Sequence, residues 1–151
     1  MNKPLVDLNF QIPEKLETDQ FRLRMLTIND VAKDYDAVMT SVQHLQNTFD
    51  DNAWPSPDLT FEQDLIDLGW HQKEFQKRSS FAYTMMSLDE SQCLGCVYIY
   101  PTDTPGFDAK VYLWVRQSEF EKGFDPILFE AVKKWLSEKW PFEKVEYPGR
   151  I

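Results

Sequence analysis

The order of secondary structure is decided by residues 109–147, which read AKVYLWVRQSEFEKGFDPILFEAVKKWLSEKWPFEKVEY. The β-branched and aromatic residues of 109–116 predict a strand. A loop, 117–124, follows, and Asp125-Pro126 then begins a helix, because a carboxylate can cap a helix and proline suits its first turn. A later proline ends this helix, and 142–147 predict a last short strand. Strand–helix–strand crossovers join parallel strands with a right-handed turn, so we expect the two strands to be parallel in one sheet.

Upstream, the hydrophobic pattern predicts three strands and two helices. The strands are residues 21–26, 81–86 and 93–100. One helix begins after Asn29 or Asp30. The other begins at Thr60, which with Gln63 has the spacing of a capping box, and it ends near Arg78.

The opening residues predict an extended N-terminal arm within residues 1–15. Apolar side chains alternate there with polar ones, at Val6, Leu8, Phe10 and Ile12, a period typical of an extended chain lying on an apolar surface. Together the elements predict an α/β (α+β) fold, with a mixed, mostly antiparallel sheet flanked by helices.

Length and composition indicate one domain, residues 1–151, with a core that needs no disulfides. Two cysteines and no export signal predict a reducing, cytoplasmic location. The formal net charge of −9 disfavours nucleic acid and anionic membranes as partners. It suits cationic small molecules or basic proteins, although an ordinary solvated surface has the same composition. No apolar run is long enough to span a membrane.

Neither the cysteines nor the histidines predict a metal site. Cys93 and Cys96 have CxxC spacing but open a strand, where an offset of three places the two sulfurs on opposite faces. His44 and His71 lie on separate predicted helices without further ligands at metal-binding spacing. We therefore expect all four to be ordinary core or surface residues.

Three local patterns, taken with the order of elements, resemble one known family. They are LETDQFRLR at 16–24, the strand pair 81–84 and 94–98 with its Leu94-Gly95 opening, and LWVR at 113–116 followed by Gly123 and an amphipathic helix. Over about residues 16–147 the chain resembles the GNAT superfamily of acyl-CoA-dependent N-acetyltransferases. The resemblance implies that 109–116 and 142–147 are the fourth and fifth strands of that fold, parallel and splayed apart.

The resemblance also implies a cofactor site between those two strands. Backbone groups of Leu113 and Val115 would hold the pantetheine arm of acyl-CoA. The pyrophosphate would lie on the loop and helix start, at the positions of Lys122, Gly123, Phe124 and Asp125. Acetyl-CoA is thus the expected cosubstrate, and a small-molecule or peptide amine the expected acceptor.

The phosphate loop departs from the family pattern. Only Gly123 matches, since Phe120 replaces the usual Gln or Arg and Asp125 replaces Gly or Ala. A capping carboxylate would occupy N–H donors and repel phosphate, by about 4 kcal/mol for unit charges about 4 Å apart at an effective dielectric of 20. The chain also ends after the fifth strand, whereas the family usually continues.

Two functions follow from these observations. The first is N-acetyl transfer, with Asp108, Glu74 and His71 as candidate general bases, although residues of these types at such positions are more often ordinary surface residues. The second is a catalytically inactive GNAT-fold module for binding or assembly that has lost its CoA phosphate loop.

The last predicted strand has no later neighbour in the sequence, so its backbone forms an edge that must be covered or paired. We therefore expect a homodimer that uses this strand or the N-terminal arm.

Overall fold

Six strands form one sheet in the computed structural model, which describes residues 4–150. They are β1 (Lys15–Glu17), β2 (Arg22–Met25), β3 (Phe81–Met86), β4 (Cys93–Tyr100), β5 (Ala109–Val115) and β6 (Val145–Glu146). The strands pair in chain order, and every pair is antiparallel except β5 with β6, which is parallel. Residues 1–3 of the predicted arm lie outside the described residues.

Five α-helices accompany the sheet: α1 (Val31–Met39), α2 (Val42–Phe49), α3 (Phe61–Gln76), α4 (Gln117–Glu121) and α5 (Phe124–Lys139). A short 3-10 turn precedes α1. The predicted capping box begins α3, because the Gln63 N–H donates to Thr60 Oγ1 at 3.1 Å and the Thr60 N–H donates to Gln63 Oε1 at 2.9 Å. No helix among the described residues is long and apolar enough to cross a membrane.

The predicted fold class is confirmed, including the parallel pair joined by a helix. Pairing of β5 with β6 is short: Ala109 faces Val145, Lys110 faces Glu146, and no further pair follows. Beyond Lys110, β5 therefore continues without β6 beside it, and a cleft opens between the two chain segments.

Two apolar layers hold the sheet between its helices. Leu113 and Val115 of β5 belong to one buried cluster, together with Leu128 and Val132 of α5. Trp114, which points to the other side of β5, belongs to the second cluster. That cluster also contains Val38 of α1, Leu45 of α2 and Leu68 of α3. Alternation along β5 thus places α5 on one face and α1–α3 mainly on the other.

The N-terminal segment differs from the predicted alternation at one residue. Val6 is buried, and Phe10 and Ile12 pack on the first cluster, but Leu8 is 83% exposed. A turn explains the difference, because the Phe10 N–H donates to the Asp7 carbonyl at 2.9 Å and reverses the direction of the chain.

The two cysteines are also placed differently from the prediction. Cys93 and Cys96 are free and buried, and both belong to the second cluster rather than to opposite faces. The register of β3 and β4 shifts where Met86 pairs with Cys93 and Met85 pairs with Gly95. This bulge changes the alternation between the cysteines, and no group of three or more potential ligands for a metal ion occurs in the described part of the chain.

Gly95 is required by close contact between β4 and β5. A Cβ atom at this position would lie 2.2 Å from the carbonyl oxygen of Trp114, which is backbone and cannot rotate away. By contrast, a Cβ at Gly69 in α3 would meet only a methyl carbon of Ile28 at 3.8 Å, an ordinary contact.

We expect Gly95→Ala to lower the free energy of unfolding by about 1–3 kcal/mol, because β4 and β5 must move apart. Gly69→Ala is the matched control and should raise stability by about 0.5–1 kcal/mol, since alanine is the better helix former. Denaturant unfolding of both variants measures the difference. Equal stabilities would contradict the close-contact explanation.

Candidate active site

The cleft between β5 and the segment after β6 is the first of the cavities that meet at β5. This β5–β6 cleft has a volume of about 400 Å³. Its lining comes from α2, from β5, from the start of α5 and from the C-terminal segment: His44, Asn47, Thr48, Phe49, Tyr112, Leu113, Phe120, Asp125, Pro148, Gly149 and Arg150.

Two carbonyl groups of β5 that β6 leaves unpaired accept hydrogen bonds from distant side chains. Arg150 Nη2 donates to the Leu113 carbonyl at 3.2 Å. His44 Nε2 lies 3.0 Å from the Val115 carbonyl, and the His44 ring packs on Phe120 with centroids 4.4 Å apart. Leu113 and Val115 therefore present polar backbone atoms to this region while their side chains are buried in the core.

The prediction that Asp125 caps α5 is wrong. Gly123 is the N-cap, with a φ of 83°, and no side chain caps the helix there. Glycine suits this position because a positive φ is costly for residues with a Cβ. Asp125 lies one residue inside the helix, and its carboxylate forms a two-point ion pair with Arg150, at 2.7 and 3.0 Å.

This ion pair changes the electrostatics that the sequence predicted. Both side chains are mostly buried, with 18% of Arg150 and 16% of Asp125 exposed. The Arg150 guanidinium also lies over the Phe129 ring at 5.1 Å. Because an adjacent guanidinium neutralises the Asp125 charge, the predicted repulsion of an anion at the start of α5 is largely removed.

The other residues of the predicted phosphate loop lie around the same helix start. Residues 117–121, predicted as loop, form α4. Lys122 follows it with 64% of its side chain exposed and its Nζ 3.3 Å from Glu119. Phe124 opens α5 and packs partly on the first core cluster.

The second cavity lies beneath α1 and α3, and we call it the aromatic–acidic cavity. Its volume is about 580 Å³. The lining residues are Leu26, Asp34, Val38, Phe49, Asp51, Trp54, Asp64, Asp67, Leu68, Trp70, His71, Tyr98, Tyr100 and Tyr112. Phe49 and Tyr112 also line the β5–β6 cleft, so the two cavities adjoin at these side chains.

A pair of buried carboxyl groups forms the inner wall of the aromatic–acidic cavity. Asp34 of α1 and Asp64 of α3 are each only 4% exposed, and their carboxyls contact one another. Burial, followed by the charge of Asp64, raises the pKa of Asp34 well above its ordinary value. Burial also raises the pKa of Asp64, whose Oδ2 accepts no hydrogen bond from any described group. One proton held by Asp34 replaces repulsion between the two groups with a hydrogen bond.

His71 lies on the wall of the same cavity. Its ring stacks on Tyr98 with centroids 5.0 Å apart, and its Nδ1 is buried with no partner among the described residues. Burial lowers the pKa of His71 to about 4, partly offset by Glu74, so the imidazole is neutral at pH 7.

The other two candidate bases are placed elsewhere. Glu74, on the next turn of α3, lines an adjoining cavity with Trp70 and Tyr100. Asp108 lines neither the cleft nor the aromatic–acidic cavity, and its Oδ2 accepts N–H groups of Glu143 and Lys144 at 2.8 and 2.9 Å. Of the three, only His71 therefore joins the aromatic–acidic cavity.

Several residues of the site were missed by sequence reasoning. Asp34 and Asp64 occupy the apolar faces of their helices, each four residues before a buried apolar residue, Val38 and Leu68. A carboxylate at such a position is a signal that could have identified them. Arg150, in the C-terminal tail, carries no such local signal, because its role depends on a partner 25 residues away.

Comparison with known proteins identifies the fold. No family model and no curated protein matches the sequence. A structure from Vibrio cholerae described as a ribosomal-protein-serine acetyltransferase is 14% identical, with a TM-score of 0.72 over 90% of this chain and 75% of that one. A GNAT-family acetyltransferase from Bordetella pertussis is 15% identical, with a TM-score of 0.64 over 83% and 73%. The ribosomal L7/L12 α-N-protein acetyltransferase RimL, in complex with coenzyme A, is 16% identical, with a TM-score of 0.62 over 83% and 67%.

The buried carboxyl pair predicts a specific dependence of stability on pH. Because the native pKa of Asp34 is raised, the native state keeps a proton that the unfolded chain loses above about pH 4. The contribution of this pair to stability is therefore complete below about pH 4 and is lost as pH rises towards the native pKa. Asp34→Asn does not titrate and still offers an N–H donor to Asp64.

We expect the stability of Asp34→Asn, relative to the wild type, to increase steadily between about pH 5 and 8. Denaturant unfolding at each pH measures this difference. The hydrogen bond from Arg24 lowers the pKa of Glu90, so the contribution of Glu90 to stability grows as pH rises. This contribution is the same in the wild type and in Asp34→Asn, and it therefore cancels in the difference between their stabilities. Asp58→Asn, at an exposed loop residue, is the control. If the difference in unfolding free energy between Asp34→Asn and the wild type stays constant with pH, Asp34 and Asp64 do not share a proton in the native state.

Proposed function

We propose that this chain, which has the fold of the GNAT acetyltransferases, transfers an acyl group from acyl-CoA to an amine. The observation that carries the proposal is the early end of the β5–β6 pairing. It leaves the carbonyls of Leu113 and Val115 at the edge of a cleft that also reaches the start of α5. Acetyl-CoA is the proposed cosubstrate, and a small-molecule or peptide amine is the proposed acceptor.

The pantetheine arm would lie along β5. Its amide groups are suited to bind the backbone carbonyls of Leu113 and Val115. In the structure these two carbonyls accept hydrogen bonds from Arg150 and His44, respectively. A carbonyl oxygen has two lone pairs. Binding therefore requires these side chains to share the carbonyls or to swing aside, and both belong to the lining of the cleft.

The phosphates would lie at the start of α5. Gly123 begins this helix without a side-chain cap, so backbone N–H groups there face outward, and a helix N-terminus favours anions. Arg150 supplies the guanidinium that the loop lacks at Phe120, and Lys122 adds a second, exposed cation. Phe124 and Asp125 complete the proposed phosphate site, and Asp125 pairs with Arg150.

The acceptor would enter through the aromatic–acidic cavity and meet the thioester where the two cavities adjoin, near Tyr112. The amine nitrogen forms a bond to the acyl carbon, the thioester C–S bond breaks, and the proton lost by the amine is finally carried by the CoA sulfur. His71 is our proposed relay for this proton, because it lines the cavity, its imidazole is neutral and its buried Nδ1 is unpartnered among the described residues. Its low pKa means that it passes the proton on readily.

The alternative, an inactive binding or assembly module, is not favoured. Its strongest support in the sequence was a capping carboxylate at Asp125 that would repel phosphate. In the structure, that carboxylate does not cap the helix and is neutralised by Arg150. A single domain over residues 1–151, a homodimer and a cytoplasmic location stay predictions.

Calorimetry with acetyl-CoA, followed by an assay of thiol release with an amine present, tests the proposal. We expect binding of acetyl-CoA and amine-dependent release of CoA. If acetyl-CoA at about millimolar concentration, the weak end of specific binding, does not bind, the proposal is wrong.

Arg150→Gln should weaken CoA binding by about tenfold or more, because a charge-assisted contact to phosphate is lost. Pantetheine, which lacks the phosphates, should bind the variant at least as tightly as the wild type, because the Leu113 carbonyl no longer accepts from Arg150. Lys134→Gln removes the same charge from the exposed face of α5 and is the matched control. If the variant loses the same affinity for pantetheine as for CoA, Arg150 acts only by shaping the cleft and does not contact the phosphates.

Asp125→Asn should have the opposite effect. It removes one negative charge and releases the Arg150 guanidinium to a ligand, so CoA should bind about tenfold more tightly if about 1.4 kcal/mol is gained. Weaker binding by this variant would show that Asp125 is needed to position Arg150.

A further inference from the structure

We propose that the aromatic–acidic cavity takes an aliphatic amine with two or more positive charges, a diamine or polyamine. As the acceptor of the acyl group, this ligand rests on the proposed function, but its binding to the cavity can be measured without CoA. Four carboxyl groups line the cavity, those of Asp34, Asp51, Asp64 and Asp67. Among the described lining residues there is no lysine or arginine.

The inner end of the cavity contains an unsatisfied acceptor. Asp64 is 4% exposed, and its buried Oδ2 accepts no hydrogen bond from an N–H or hydroxyl group of the described residues, so the Asp34 carboxyl is the one described donor to this carboxylate. A buried carboxylate oxygen without a donor is costly. An ammonium group has three N–H donors and a positive charge, and so it satisfies Asp64 better than a neutral ligand would.

A second cation can bind nearer to the mouth of the cavity. Asp67 lies one helical turn from Asp64 on α3 and is exposed to solvent. Asp51, also exposed, follows α2 on another part of the lining. Side chains one turn apart have Cβ atoms about 5–6 Å apart. The charges are therefore spaced for ammonium groups that a few methylenes separate.

Aromatic rings supply the remaining wall. Trp54, Trp70, Tyr98, Tyr100 and Tyr112 all line the cavity. Ring faces attract ammonium groups and their flat surfaces pack on methylene groups, so this lining suits an alkylammonium chain.

The missing cations exclude another class of ligand. A free amino acid carries a carboxylate beside its amine, and this carboxylate would meet four acidic groups and no guanidinium or ammonium from the lining. Lys73 lies 5.9 Å from the Trp70 ring, but it does not line the cavity and pairs with Glu74 at 3.8 Å. The chemistry thus favours amines without a carboxylate.

The charge requirement also explains release of product. Acylation of one ammonium group releases two protons, one carried by the CoA sulfur and one passed to solvent, so a diamine with two charges becomes a monocation. The product then loses its interaction with one of the acidic sites, while the substrate keeps both.

A matched series of ligands tests the proposal by calorimetry in the absence of CoA. Hexamethylenediamine, hexylamine and aminocaproic acid share a six-carbon chain and carry net charges of two, one and zero. We expect the diamine to bind about tenfold more tightly than hexylamine, the effect of one additional partly buried charge contact, and aminocaproic acid to bind most weakly. Mono-N-acetyl hexamethylenediamine should bind like hexylamine.

Asp67→Asn should remove most of the preference for the diamine over hexylamine. Because Asp67 is exposed, the variant is expected to fold, which thermal unfolding can check. Glu62→Gln removes the same charge from the same helix outside the cavity lining, and it should keep the preference.

Affinities for the three ligands that agree within about twofold, a difference below 0.5 kcal/mol, would overturn the proposal. Tighter binding of a peptide with a single N-terminal amine would also overturn it, in favour of a protein acceptor. Failure of acetyl-CoA to bind would instead overturn acyl transfer, and the diamine would still bind the cavity. The two failures are therefore distinguishable.

Discussion

The short parallel pairing of β5 with β6 is the constraint on which the rest of the site depends. At one end the two strands are held firmly, because Asp108 accepts two backbone N–H groups and its own N–H donates to the Lys144 carbonyl at 2.7 Å. Beyond Lys110 and Glu146 no pairing follows. Since α5 must cross from the end of β5 back to the start of β6, its first turn lies at the open end. The same geometry that closes the sheet therefore opens a cleft and places a helix N-terminus beside it.

Charge is distributed differently in the two cavities that adjoin at β5. In the β5–β6 cleft, Asp125 is neutralised by Arg150, so no uncompensated carboxylate opposes an anion at the start of the helix. In the aromatic–acidic cavity the carboxylates are opposed by no lysine or arginine of the described lining. An anion is thus suited to one side and a cation to the other, and Tyr112 lines both cavities.

Much of the fold was predictable because it depends on local patterns. The apolar, β-branched and aromatic runs of β3, β4 and β5, the capping box at Thr60 and the apolar face of α5 each involve residues a few positions apart. Local patterns predicted the ends of helices less reliably where two nearby sequences both suit a helix start. Asp125-Pro126 has the composition of a helix start, yet the N-cap of α5 is Gly123, because glycine takes the positive φ that the turn from α4 requires.

The sequence by itself determined the order of the longer strands and helices, the parallel crossover and the excess of acidic residues, whereas β1, α4 and the need for glycine at position 95 came only from the structure. Periodicity and capping depend on residues that are close in the sequence, and composition is a sum over single residues. All three can therefore be recognised without knowledge of the fold. Only the tertiary structure decided which charges meet. Arg150 pairs with a residue 25 positions away, His44 reaches a carbonyl 71 positions away, and Asp34 contacts Asp64 across two helices. Such contacts depend on how helices pack against the sheet, and this packing is set by the whole core rather than by any one segment.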